Sequence, residues 1–258
     1  MGQSVSQGRL TGGRYSEEMK RVLGIDVASG KWRDNGSALL EFDAGRFTRV
    51  TSAAISWPQL ELTPAALAGA ILEFCIVNCV EAVALDGPQG WRDPARPDSK
   101  PGVGRQCELL CRTQGKTGAH PKTYPSTQRA WIQFSIDLFD ELLRRPHVRL
   151  FEGGPTKPGE LLIMECFPTS TWRSAGLKPL PGKAKRPALE SWTAALTKGF
   201  SLPAFVPHGH DDLQAVVAAL CAAGAMGGPC SARPLGLPAG EDAAGRRTEG
   251  MIWDAAPH

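Results

Sequence analysis

The stretch Arg21-Val-Leu-Gly-Ile-Asp-Val-Ala-Ser-Gly30 decides how this chain is read. Val22, Leu23, Ile25 and Val27 are too apolar for a surface loop. A short apolar run closed by Ser-Gly has the length and composition of a buried β-strand. One carboxylate, Asp26, sits near its C-terminal end. A charge in such a run is costly unless it is paired or hydrogen-bonded. Asp26 therefore calls for a metal, a cation or hydrogen-bond donors, and the turn at Ser29-Gly30 is the nearest source of donors.

Outward from this strand, residues 37–42 and 47–55 read as two more strands joined by Asp43-Ala44-Gly45, a hairpin signal. Three early strands with short links predict an antiparallel meander. Thr63-Pro64 opens a helix, Thr as N-cap and Pro at the first helical position. Leu67, Ile71, Phe74 and Asn78 carry it to about Val80. Residues 81–86 form a short strand that ends in a second carboxylate, Asp86, and Gly87-Pro88-Gln89-Gly90 stops it. Two loops, 91–104 and 115–125, flank a helix over 105–114 with Leu109 and Leu110 inward. Residues 126–145 are the clearest amphipathic helix, with Trp131, Phe134, Leu138 and Leu142 in one stripe. Strands over 148–151 and 161–164 flank Gly153-Gly154-Pro155 and read as a hairpin; the second leads into a third carboxylate, Glu165. Short helices are expected over 169–175 and 187–198, and a longer one over 211–223. Residues 224–240 read as irregular, and 249–253 as a final edge strand. There is no internal repeat.

A length of 258 residues suits one large domain or two small ones, and 42% hydrophobic with 21% charged residues is ordinary for a globular protein. The net charge of +3 is too mild to argue for nucleic acid by itself. Seven cysteines, an odd number with no CxxC pair, read as small apolar residues in a reducing cytosol. Cys107, Cys111 and His120 match no common zinc spacing. With no run of about 18 apolar residues and no secretory h-region, a cytoplasmic protein is expected. Residues 1–6 fit the short N-myristoylation pattern. Met19-Lys20 directly precedes the first strand, so residues 1–18 read as a disordered extension and 19–258 as a single domain.

Asp26, Asp86 and Glu165 end three expected strands and would meet at one sheet edge if those strands lie side by side. Asp211 opens a helix rich in small residues that could pack close by. Bare clustered carboxylates repel and shift one another's pKa. Mg²⁺ or Mn²⁺, which favour oxygen ligands, would resolve the conflict, and two such ions can clamp a phosphodiester. Structural alternatives stand beside this: Asp86 as a turn starter, Glu165 paired with Arg173 or another cation, and Asp211 with Gln214 as a capping box. His210 reads as a loop residue or as a group orienting phosphate or water. Residues 86–130 carry eight Lys/Arg against four Asp/Glu. Among them Arg92, Arg105, Lys116 and Lys122 are candidates for phosphate binding. The basic loop 178–186 is open to the same reading, or to that of a solvated surface.

Val-Leu-Gly-Ile-Asp26, Ala-Leu-Asp86-Gly-Pro-Gln-Gly, Arg105-Gln-Cys-Glu108, Glu165-Cys-Phe-Pro168 and His210-Asp211 occur in an order that resembles the bacterial and archaeal domain of unknown function 429 family. The resemblance covers about Lys20 to Trp253. It implies an α/β, ribonuclease H-like fold: a mixed central sheet of three antiparallel strands followed by parallel strands, with flanking helices. It also implies a predicted nuclease, with Asp26 and Asp86 as metal ligands and a last ligand from the C-terminal helix. Relatives often carry His-Asp-x-x-Asp-Ala there; this chain has His210-Asp211-Asp212-Leu213-Gln214-Ala215. Gln214 replaces a carboxylate, so either Asp211 takes over or the site is weakened. The expected function is a divalent-metal-dependent nuclease acting on DNA or RNA. A catalytically weakened nucleic-acid or protein-binding module is the alternative. An actin/sugar-kinase-like ATPase would need a second such domain and a better phosphate loop than Val27-Ala28-Ser29-Gly30.

Overall fold

A computed structural model describes residues 19–43, 45–96, 104–113 and 115–258. The expectations for residues 1–18, disorder and the myristoylation pattern, lie outside the described residues, as does Ala44 of the expected hairpin signal. The opening stretch is strand β1 (Lys20–Asp26), antiparallel to β2 (Gly36–Asp43), which pairs with β3 (Arg46–Ser52) to complete the expected meander. Helix α1 (Pro64–Asn78) begins as read: the Thr63 hydroxyl accepts the Ala66 N–H at 3.1 Å. It buries Leu67, Ile71 and Cys75 and ends at Cys79 in the left-handed region, φ 52°. Strand β4 (Ala82–Asp86) then runs parallel to β1.

Several elements differ from expectation. Helix α2 (Gln106–Cys111) turns Leu109 and Leu110 outward and buries Cys107, Glu108 and Cys111 instead, because Glu108 joins a buried ion cluster. Strands β7 (Val148–Leu150) and β8 (Leu161–Cys166) are not a hairpin; they run parallel, because the long connection between them returns the chain to its starting end before β8 begins. The small-residue stretch after residue 230 is a long strand, β9 (Ser231–Glu241), not irregular chain. Strand β10 (Arg247–Ala256) lies between β8 and β9, so β9 and not β10 forms that edge. The loop over 115–125 also contains a small hairpin, β5 (Lys116–Thr117) with β6 (Thr123–Tyr124).

The result is an α/β architecture with one mixed sheet in the order β3-β2-β1-β4-β8-β10-β9, β7 pairing the first half of β8. Helices α1 and α3 (Arg129–Leu143) pack on one face with Leu23, Ile25, Val83 and Leu85. The other face, with Val22, Ala82, Ala84 and Met164, is covered by α4 (Pro168–Ser174), α5 (Glu190–Phe200) and α6 (His210–Ala225). Helix α6 is apolar all round from Leu213 to Ala223, apart from Gln214, and wholly buried, as a central helix must be. Among the described residues, no helix is long and apolar enough to cross a membrane.

Candidate metal centre

The register decides which carboxylates meet. Asp26 lies opposite Asp86, and Asp86 opposite Cys166, on the adjacent parallel strands β1, β4 and β8. Successive side chains of a strand point to opposite faces. Asp26, Asp86 and Cys166 therefore share the face covered by α6, while Glu165, one residue earlier, points the other way. Helix α6 comes close because Gly24 leaves room for its backbone at Ala215 and Ala219. Gly36 does the same for the carbonyl of Asp211. Asp212 fastens this end, its Oδ1 accepting the Ser37 N–H at 3.1 Å.

The first turn of α6 thus meets the end of β1. Ligand atoms of Asp26, His210 and Asp211 lie within 4.8 Å of one another, and among the described residues no other His/Cys/Asp/Glu group of three does so. His210 Nε2 sits 2.9 Å from the Pro181 carbonyl oxygen, which can only accept, so Nε2 carries the proton. Nδ1 faces Asp211 Oδ1 at 3.1 Å. That nitrogen donates to Asp211 when it carries a proton and offers a lone pair to a metal when it does not, and a backbone carbonyl on the far nitrogen is the usual support of a metal-ligating histidine.

Electrostatics point the same way. Burial, then repulsion from Asp86 and Asp211, pushes the Asp26 carboxyl well above its ordinary value, with Lys183 opposing. Burial and the charge of Glu165 push Asp86 up to about 7. Burial also acts to raise Asp211, but hydrogen bonds from His210 and Lys183 outweigh it and hold the group low. Asp26, which resists ionisation, beside the ionised Asp211 and an imidazole, makes a donor set that fits a hard divalent cation; Asp86, its neighbour in register, lies outside the group of atoms within 4.8 Å.

The remaining sequence candidates are placed elsewhere or already engaged. Glu165 forms a buried two-pronged pair with Arg105, Nη1 to Oε2 at 2.7 Å and Nη2 to Oε1 at 2.5 Å, and accepts the Gln89 N–H at 3.0 Å. This is the structural alternative, with Arg105 and not Arg173 as the cation. Arg105 spends its other N–H groups on Glu108 and the Glu249 carbonyl, so none is left for a phosphate. Gln214 lines the cleft beside Asp86, and its Oε1 accepts the Trp172 indole N–H at 3.0 Å, which turns one of its two lone pairs away from the carboxylates. Lys116 is tied to the carbonyls of Glu108 and Thr113. Arg92 donates to the Arg96 carbonyl at 3.0 Å, and Lys122 is exposed near the β5–β6 turn. Cys107 and Cys111 pack against Ile252, whereas His120 stacks edge-on against Trp91, so the three do not assemble.

A cleft of about 620 Å³ opens beside Asp86. Its wall carries Trp131 and Ile132 on one side and Arg173, Lys178 and Lys185 on another. The Trp131 indole N–H donates to the Val27 carbonyl at 2.8 Å, tying α3 to the end of the opening stretch. Two more residues stand at the α6 end: Lys183, from the basic loop 178–186, in contact with Asp211, and Asp34, on the turn after β1, 3.0 Å from Lys183. The basic run was visible in the sequence; its meeting with Asp34 and the α6 end was not. No family model matches this chain, and no curated protein or solved structure matches it.

Proposed function

We propose that this chain is a divalent-metal-dependent nuclease, with Asp26, Asp86, Asp211 and His210 holding Mg²⁺ or Mn²⁺. The observation that carries the reading is the pairing in register of Asp26 and Asp86 at the ends of two parallel strands, opposite the His210-Asp211 end of α6. The order of three antiparallel strands followed by parallel ones also supports the ribonuclease H-like fold that the resemblance to the domain of unknown function 429 family implies. A bound ion would supply Lewis-acid polarisation of a phosphoryl oxygen and acidify water. The chain's own groups set the rest. Asp26 and Asp86 must release protons that burial makes them keep. The Pro181 carbonyl fixes the His210 ring. Lys178, Lys185 and Arg173 would neutralise the phosphates flanking the scissile bond, on a cleft of the size that takes a nucleotide unit.

A catalytically weakened binding module on the same fold is the second reading. Gln214, an uncharged amide bonded to Trp172 where members of the resembled family often carry a carboxylate, favours it. The test is cleavage of labelled DNA and RNA, single-stranded, duplex and branched, with Mn²⁺. Cleavage should fall at least about 100-fold in Asp26→Asn and in Asp86→Asn. Metal-independent binding without cleavage would establish the module instead.

A further inference from the structure

The loop between α4 and α5 brings an ammonium group into the carboxylate cluster. Lys183 Nζ contacts Asp211 Oδ2 and lies 3.0 Å from Asp34 Oδ1, with its side chain 56% exposed. Asp26 feels its charge as well. The loop around it is anchored: Leu180 is buried in the core, and the Pro181 carbonyl holds His210. Leu180, Pro181, Gly182 and Lys185 line the cleft.

We infer that Lys183 is the counter-ion of Asp211 in the metal-free protein and becomes a substrate-phosphate-binding residue once a divalent cation takes over that charge. The inference rests on the metal reading above. An ammonium is a mobile point charge with three donors on a flexible stem, and exposed ion pairs of this kind exchange readily. Of its two partners only Asp211 belongs to the cluster. Asp34 stands on the turn after β1 and is itself exposed, so it keeps Lys183 tethered at the rim when Asp211 is given up. From that tether the ammonium stands between Gly182 and the lining of the cleft that Lys178 and Lys185 share, within reach of a phosphodiester running along it.

The experiment compares the full chain with Lys183→Met and Lys183→Arg, the second keeping the charge. Calorimetric titration with Mn²⁺ should show Lys183→Met binding at least about threefold tighter than wild type, and Lys183→Arg close to wild type. With Mn²⁺ exchanged for saturating Ca²⁺, anisotropy with a 5′-phosphorylated single-stranded oligonucleotide should show the opposite order. Lys183→Met should then bind at least about threefold more weakly, with a salt slope smaller by about one. Equal Mn²⁺ affinity in wild type and Lys183→Met, or unchanged oligonucleotide affinity, overturns the inference alone. A wild-type chain that takes up no Mn²⁺ overturns the metal reading and this inference with it.

Discussion

Replacing Asp86 by Asn should make the metal-free protein more stable near pH 8 and unresponsive to metal. The folded state holds the Asp86 proton up to a pH of about 7, against 3.8 for the free group. Between those two values the unfolded chain has already released a proton that the native state still keeps. Stability therefore declines as pH rises through that window, and the whole penalty is present above it. At 1.36 kcal/mol per unit, the difference comes to roughly 4 kcal/mol. Asp26, also raised, adds in the same direction. Asp211 is held low, so its contribution is constant above its unfolded value and is lost only in acid. Asn carries no such penalty, and after allowance for a poorer fit of the amide the gain should be about 2 kcal/mol or more near pH 8. For a chain of this size that is a rise of at least about 4 °C in Tm. Near pH 5 only about a third of the penalty has built up, roughly the size of the allowance for the amide, and the gain should vanish. Differential scanning calorimetry at the two pH values, with and without Mn²⁺, is the assay. Wild type should recover stability on adding Mn²⁺; Asp86→Asn should not. An Asp86→Asn variant less stable than wild type near pH 8 would refute the view that this carboxylate is destabilising until a cation joins it.

Two further outcomes follow from the geometry. Glu165→Ala leaves the Arg105 guanidinium buried with two of its five hydrogen bonds gone, and should cost about 3–5 kcal/mol in urea denaturation; an unchanged midpoint would count against a structural role for the pair. Gly24→Ala drives a methyl group into the α6 backbone at Ala215 and Ala219, which cannot swing aside as a side chain would. It should cost about 1–3 kcal/mol and weaken Mn²⁺ uptake without touching a ligand, whereas unaltered uptake by titration would show that the close approach does not set the cluster.

Local chemistry was legible where one element carried its own signal. The apolar run of β1, the Thr63 cap with Pro64, the stripe of α3 and the acidic start of α6 are each written within a few residues. What failed depended on partners distant in sequence. Strand β9 has mostly exposed small residues and two prolines, so its own composition reads as loop; β10 makes it a strand by supplying a ten-residue antiparallel ladder. Gly153-Gly154 signalled a turn, but direction is set by where a chain returns, and the connection between β7 and β8 brings it back in parallel. Counting carboxylates at strand ends placed Glu165 beside Asp26 and Asp86. Register places Cys166 there instead, and a shift of one residue reverses a side chain's face. The buried cluster of Arg105, Glu108 and Glu165 leaves one trace, an acidic residue three positions after Arg105 between two inward cysteines, and by itself that segment reads as an ordinary amphipathic helix.

The position of β10 sets an order in time. It follows every other described element in the chain, yet it fills the interior place between β8 and β9. It also brings the Glu249 carbonyl to Arg105, the Glu249 carboxylate to Arg96 and the Gln106 N–H, and Arg247 to Asp140. During synthesis, Arg105 and Glu165 thus emerge long before this group of contacts can close around them. The sheet cannot be completed from its N-terminal end, and the wall of the cleft that includes Ile252 is delivered only after every other described strand and helix has emerged.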